Sequence, residues 1–376
     1  MSMLTVRRGA SVSPDPVQAV QDVYRAIHQA GASLVILFIS SKYDLNAIES
    51  ALEGVFRCPV IGCTTAGEIT SNAGYVEGTL VGVSLDSPQL FAHPKLISPL
   101  TSFDLRQGEN LAKELRSELK LGSDFDARKM FSLLLVDGLS MLEEQAVATL
   151  NEALSGLPLF GGSAGDDLLF AKTHVYFEGR FHTNAAVLTL FETSLPFVLF
   201  QTQHFEPTEA RLVITESDCA TRTVTEINGG PAAAEYAKAV GLEIAGLSPQ
   251  IFAAHPVMLQ IGGEYYVRSI QKVNPDGSLT FFCAIDNGLV LTVGRGKQLV
   301  ESLGETLARL RRQLPTLKLI LGCDCILRRL ELQQKGLTEA AGKVLSGVDF
   351  VGFSTYGEQV NGIHVNQTLT GIALGE

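Results

Sequence analysis

Two glycine-rich turns carry the residue types best suited to chemistry: Gly62-Cys63-Thr64-Thr65-Ala66-Gly67-Glu68 and Gly161-Gly162-Ser163-Ala164-Gly165-Asp166. Each ends an apolar run that reads as a buried strand, the position where α/β architectures commonly bind ligands. Small residues let backbone N–H groups approach a bound group, Thr64, Thr65 and Ser163 add hydroxyls, and Glu68, Asp166 and Asp167 add charge. The same composition also suits a tight strand-to-strand connection. Cys63 or Thr64 beside a row of N–H groups would suit acyl transfer, but no Gly-x-Ser-x-Gly elbow accompanies them. Neither turn has the Gly-Lys-Ser/Thr of a phosphate loop or GxGxxG spacing, which argues against ATP and NAD.

Other candidates are scattered. Cys323-Asp324-Cys325 offers two thiols one residue apart, a metal or redox pair that lacks two further zinc ligands nearby. Cys58 precedes Pro59 at a strand start and is a weak thiolate ligand. Of the seven histidines, His28 reads as a helix-surface residue, and His93 and His255 precede prolines. His174 and His182 flank apolar strands, and His364 precedes the final strand. His204, in Gln203-His-Phe-Glu-Pro207, lies where two domains meet, a favoured place for a pocket.

These residues need a scaffold, and the sequence outlines one. Leu34–Ile39 and Phe131–Val136 read as buried strands, followed by helices over Leu45–Phe56 and Met141–Leu154. Strands at Pro59–Ile61 and Pro158–Phe160 lead into the two turns, and third strands follow at Gly78–Leu85 and Asn184–Leu190. Pro59 and Pro158 each stand 25 residues after the equivalent leucines, Leu34 and Leu133. That spacing predicts a duplicated β-α-β-β unit. Beyond Glu206-Pro207 the pattern turns to hairpins, with strands at Arg211–Thr215, Thr223–Ile227, Val257–Ile261, Tyr265–Val273, Leu279–Ile285 and Leu289–Val293. An amphipathic helix over Gln298–Leu314 has Arg309, Arg311 and Arg312 at the end that favours cations. A strand at Leu317–Leu321, a helix from Ile326 and strands at Phe350–Ser354 and Gln367–Leu374 close the chain. The expected fold class is α/β (mixed α+β): two domains with mixed, largely buried sheets flanked by helices, the first pseudo-duplicated.

Composition narrows the partners. Lys+Arg number 29 against 40 Asp+Glu, a net charge of −11, so polyanions are repelled and nucleic acid is a poor partner. No apolar run approaches a membrane span, and Arg7-Arg8 lack the hydrophobic segment of an export signal. Six cysteines in 376 residues fit a reducing compartment. These features predict a cytoplasmic bacterial-type protein without membrane insertion.

The motifs together resemble a known family. Val60-Ile-Gly-Cys-Thr-Thr-Ala-Gly-Glu68 and Leu159-Phe-Gly-Gly-Ser-Ala-Gly-Asp166 resemble the signature turns of the FIST_N sensory domain. Thr225-Glu-Ile-Asn-Gly-Gly-Pro-Ala232, Gly352-Phe-Ser-Thr-Tyr-Gly-Glu358 and Asn366-Gln-Thr-Leu369 resemble its companion FIST_C. The resemblance implies an N-terminal extension and helix over 1–29, a FIST_N-like domain over 30–205 and a FIST_C-like domain over 206–376. It also implies a non-catalytic signal-input module for a histidine kinase or cyclic-di-GMP enzyme, compatible with a homodimer. Segments 202–208, 266–271, 282–285, 322–329 and 364–368 are similar to the haem-binding, nitric-oxide-sensing (NosP-type) subgroup. That similarity implies haem b on a histidine, His204 first and His364 and His182 behind it, with Arg328, Arg329 or Arg268 on the propionates. The alternative is a haem-free site for a small ligand such as an amino acid, lined by Gly62, Cys63, Thr64, Thr65, Gly161, Gly162, Ser163, Asp166 and Tyr356.

Overall fold

The computed structural model describes residues 4–376 of the chain. Local chemistry starts its helices: Asp15, Asp44 and Asp104 each accept a backbone N–H at the first turn of Pro16–Ile27, Leu45–Leu52 and Leu105–Glu118. The expected duplication is present, and a third copy follows it. The first unit runs through strands Thr5–Ser11, Leu34–Ser40 and Val60–Thr65, a hairpin Glu68–Thr70/Gly74–Val76, and strand Leu80–Asp86. The second runs Leu90–Ile97, Met130–Val136, Leu159–Ser163, hairpin Val175–Phe177/Arg180–His182, Ala186–Thr193. The third runs Phe197–Thr202, Leu317–Cys325, Phe350–Thr355, hairpin Glu358–Val360/Ile363–Val365, Leu369–Gly375.

Each unit makes one six-stranded sheet, but not from its own strands alone. The first unit's hairpin pairs with Phe350–Thr355 of the third, Gly352 opposite Ile69. The second unit's hairpin pairs with Val60–Thr65 of the first, Tyr176 opposite Gly62. The third unit's hairpin pairs with Leu159–Ser163 of the second, Gln359 opposite Gly161. The exchange is cyclic, so the body is a closed, three-part barrel-like arrangement in which every sheet borrows its last hairpin from another unit. In each sheet the second and third strands are parallel, with Leu37, Leu134 and Gly322 opposite Gly62, Gly161 and Gly352. Those three glycines answer to a shared constraint. A Cβ at any of them would overlap the backbone carbonyl of Leu37, Leu134 or Gly322 on the neighbouring strand.

The inner faces of the three sheets share one apolar core, where Phe38 stacks on Phe353 at 4.7 Å and Phe131 on Phe191 at 4.7 Å. Helices cover the outer faces, Pro16–Ile27 and Leu45–Leu52 on the first, Leu105–Glu118 and Glu143–Ala153 on the second. Leu299–Gln313, with Ile326–Gln334 and Thr338–Leu345, covers the third.

Between the first and second strands of the third unit the chain inserts a further sheet of eight strands, spanning Phe205 to Gly296, with its own core around Tyr236, Phe252 and Phe281. Within it the expected strand Tyr265–Val273 is broken at Ser269, and Leu279–Ile285 shortens to Leu279–Phe281. The sheets of the body cross the 205/206 division, since strands from both sides of it pair with one another. Among the described residues no helix is long and apolar enough to cross a membrane.

Candidate functional site

The turns that follow the third strands meet at the middle of the body. Ala66 N donates to the Ser354 carbonyl at 3.0 Å, Tyr356 N to Ser163 at 3.3 Å, and Gly165 N to Thr64 at 2.9 Å. Each turn thus bonds the next in a ring of three, and Gly352-Phe-Ser-Thr-Tyr-Gly-Glu358 is the third turn of that ring. The side chains are spent in the same way. Thr64 and the backbone of His174 bond each other, the His174 N–H donating to Thr64 Oγ1 at 3.0 Å. Thr65 donates to Glu68, whose second oxygen takes the N–H and hydroxyl of Thr79. Ser163 accepts from Gln359 Nε2 at 3.0 Å. Asp166 accepts from Tyr356 and from the N–H groups of Phe170, Ala171 and Lys172. Gly62, Cys63, Thr64, Thr65, Gly161, Gly162, Ser163, Asp166 and Tyr356 are therefore brought together, but they face one another rather than an opening. Cys63 is fully buried, and burial pushes its thiol well above the ordinary value, so as placed it is no nucleophile.

Glu68 is the acid most altered by this packing. Burial pushes its carboxyl up to about 7 against the hydrogen bonds of Thr65 and Thr79. Glu358, at the same place in the third turn, is likewise held by Thr368 and driven well up by burial.

The opening lies just beyond the ring. A cavity of about 340 Å³ is lined by Ser41, Lys42, Ala66, Glu77, Asp167, Leu168, Leu169, Ile326, Arg329, Leu330 and Gln333. Apart from Glu77, which follows the hairpin strand Gly74–Val76, these residues follow the carboxyl ends of parallel strands from all three units. Its charges are two cations and two anions. Arg329 donates to the Ala66 carbonyl at 2.5 Å and pairs with Glu77. Lys42 lies 3.3 Å from Glu77 and 3.8 Å from Asp167, which also accepts from Ser41. Burial raises the Asp167 carboxyl, opposed by Lys42. A larger cavity of about 780 Å³, on the outer flank between Leu45–Leu52 and the hairpin Val175–His182, contains none of the turn residues.

Arg329 belongs to a helix that also faces the inserted sheet. A polar chain runs from Tyr75 through the buried Asp324, Arg328, His204 and Glu331 to Lys335 at the surface. Tyr75 donates to Asp324 at 2.5 Å, Arg328 Nε to Asp324 at 2.6 Å, and Arg328 Nη1 to His204 Nδ1 at 3.1 Å. Because Nδ1 accepts, His204 carries its hydrogen on Nε2, which donates to Glu331 at 2.7 Å. Lys335 closes the chain on Glu331 at 2.6 Å. Burial holds the His204 ring below its ordinary value, although Glu331 opposes it.

These bonds decide the fit of haem. A ligating imidazole needs a nitrogen lone pair facing the iron, and both nitrogens of His204 are engaged by side chains. His182 bonds the Phe177 carbonyl at 3.3 Å on an exchanged hairpin. His364 is buried, its Nδ1 accepting from Gln359 at 3.2 Å. Arg328 is taken by Asp324 and His204, Arg329 by Ala66 and Glu77, and Arg268 donates to the His364 carbonyl at 3.0 Å. His204, the ligand expected first, does not fit haem as arranged, because Arg328 and Glu331 hold both of its ring nitrogens; His364 and Arg268 touch each other at a separate place and keep His364 Nε2 and Arg268 Nε unpartnered. Cys323 and Cys325 are both buried at the end of one strand, and no cluster of three or more His, Cys, Asp or Glu residues suited to a metal occurs among the described residues.

Sequence reasoning named the turns but missed Lys42, Glu77 and the third unit's share of the cavity. Asp167 and Ala66 were named with the turns, and Arg329 was named only as a propionate partner implied by the resemblance. Comparison with known proteins accords with the motifs. The FIST N domain model matches residues 33–230, running into the inserted sheet, and the FIST C domain model matches 232–361. A search of curated proteins finds no match. The first match alone covers more than half of the chain, and the two follow in the order of the three turns; the chain belongs to the FIST family of signal-transduction sensor modules.

Proposed function

We propose that the chain is a signal-input module that takes a small zwitterionic ligand, of the amino-acid class, in the cavity beyond the ring of turns. The carrying observation is the charge arrangement there: Arg329 and Lys42 can meet a carboxylate while Asp167 and Glu77 meet an ammonium group. The volume is at the small end of the range for ligand sites. Such a ligand exchanges one set of ion pairs for another, which limits the desolvation cost of burying its charges.

The signal leaves through the helix Ile326–Gln334. Ile326, Arg329, Leu330 and Gln333 line the cavity, while Arg328 and Glu331 on the same helix grip His204 at the start of the inserted sheet. A ligand that draws Arg329 from Glu77 biases the helix, and the His204 clasp passes that bias to the surface of the inserted domain. A histidine kinase or cyclic-di-GMP enzyme reading that surface is the partner we propose. Thermal melting against a panel of amino acids tests the reading, with stabilisation expected for at least one and lost in Asp167→Asn. Stabilisation by none of them would refute it.

Haem binding and nitric-oxide sensing would need the His204 ring to leave both Arg328 and Glu331. A haemin titration tests that alternative: a sharp Soret band, absent in His204→Ala, would replace the zwitterion reading, and the arrangement of His204 predicts only the broad band of unligated haemin.

A further inference from the structure

A second set of polar groups lies where the inserted sheet rests on the body, and it shares no residue with the cavity beyond the turns. Arg268 and Ser269, at the break between strands Glu264–Arg268 and Ile270–Val273, face the hairpin residues His364 and Asn366. Two bonds fix this juxtaposition: Arg268 Nη1 donates to the His364 carbonyl at 3.0 Å, and Ser269 N to Asn366 Oδ1 at 3.3 Å. All four residues are more than nine-tenths buried. Yet Arg268 Nε, Ser269 Oγ, His364 Nε2 and Asn366 Nδ2 find no hydrogen-bond partner in the chain. Buried polar atoms are almost always paired, so four such atoms on two touching segments call for a guest.

The identity of the orphaned atoms defines that guest. Asn366 uses its carbonyl oxygen for Ser269, so the free end is the NH₂ donor. His364 accepts at Nδ1 from Gln359 Nε2, whose orientation is set by the Gly357 carbonyl that accepts from the same amide at 3.3 Å. His364 Nε2 therefore carries a hydrogen and donates. Arg268 Nε can only donate. The Arg268 side chain also meets the Cys283 thiol and has no carboxylate within ion-pair distance among the described residues, while Arg268 Nε, Ser269 Oγ, His364 Nε2 and Asn366 Nδ2 stay without a partner. The nearest acid on the facing helix, Glu144, is held by Arg222 at 2.6 Å and by Ala284 N at 2.6 Å. A buried guanidinium without a counter-charge is costly.

Gly357 sets where the His364 ring lies. A Cβ built there would overlap His364 Cε1 and lie 2.6 Å from its Nε2 and 3.1 Å from Asn366 Nδ2, so the imidazole packs directly on this glycine and a side chain there would push the ring and its donor out of place.

We propose that Arg268, Ser269, His364 and Asn366, over Gly357, form a site for a small oxyanion of the carboxylate type. Two of its donors come from the inserted sheet and two from the body, so the anion cross-links the two. Its occupancy sets how tightly the inserted domain is held.

The test uses the full chain and defined anions. Sodium formate, acetate, nitrate and phosphate are titrated at constant ionic strength against chloride, by calorimetry and by the ¹⁵N resonance of His364 Nε2 in labelled protein. Binding of one anion per chain with a shift of that resonance is expected. Selectivity for formate and acetate would identify a carboxylate metabolite as the occupant, and equal or tighter binding of nitrate or phosphate an inorganic oxyanion. Gly357→Ala and Ser269→Ala should weaken binding at least tenfold, and Asp167→Asn should leave it unchanged, which separates this site from the zwitterion cavity. A His364 resonance that no anion moves in the wild-type protein would overturn the proposal even if the variants fail to fold.

Discussion

At the level of single residues, the molecule buries charge where its three turns meet, and this has consequences for pH. Glu68 in the native state holds its proton up to about pH 7, whereas an unfolded glutamate releases it near 4.5. Between those values the native state binds more protons than the unfolded state, so stability falls as pH rises through the window. A shift of that size corresponds to roughly 3 kcal/mol. Glu68→Gln should flatten this decline, seen as a smaller loss of urea midpoint between pH 5 and 7.5 than in the wild type. His364, pushed down to about 4 by burial, acts oppositely and stabilises less as pH falls below 6.5. The His204 chain carries a second prediction. Arg328→Met leaves Asp324 buried without its cation and should cost about 3–5 kcal/mol, measured by urea denaturation; a loss under 1 kcal/mol would show that the chain is not continuous. Residue types at the turns were legible because small, hydroxylated and acidic residues ended apolar strands. What those hydroxyls touch was not, since Thr65 meets its own Glu68 while Ala66 meets Ser354, nearly the length of the chain away.

Among the elements, legibility followed burial. Leu34–Ser40 and Met130–Val136 are buried on both faces and read as unbroken apolar runs. The outer strands Thr5–Ser11 and Leu90–Ile97 escaped, because half-exposed strands admit Arg7, Arg8 and Lys95, and the short outer strand Phe197–Thr202 escaped with them. Pro94 within a strand also argues against one. The third repeat was hidden by the sheet inserted after its first strand, although Gly352-Phe-Ser-Thr-Tyr-Gly-Glu358 matches Gly62-Cys-Thr-Thr-Ala-Gly-Glu68 at four of seven positions, both glycines and the closing glutamate among them. The parallel strand pairs rest on the absence of a side chain at Gly62, Gly161 and Gly352. Gly161→Ala would force a Cβ onto the Leu134 carbonyl, a backbone atom that cannot step aside. Overpacking of this kind costs about 1–3 kcal/mol or more, and a lowered melting temperature with retained far-ultraviolet dichroism is the expected signature.

For the whole molecule, the cyclic exchange of hairpins makes the three units one cooperative body. Residues 30–205 expressed alone would lack the strand that receives the hairpin Glu68–Val76, and would leave Leu159–Ser163 without the hairpin that covers it. The fragment should aggregate or melt without a sharp transition, whereas a cooperative melt matching the full chain would show that the exchange is dispensable. The same closure explains how one cavity gathers residues from all three units, and why its charged pairs sit against a helix that reaches the inserted domain. The most direct measurement is a calorimetric titration of the full chain with the twenty amino acids, repeated for Lys42→Ala and Asp167→Asn. The account predicts one-to-one binding of at least one amino acid to the wild type, weakened tenfold or more in both variants. Binding by none, or binding that both variants leave intact, would contradict it.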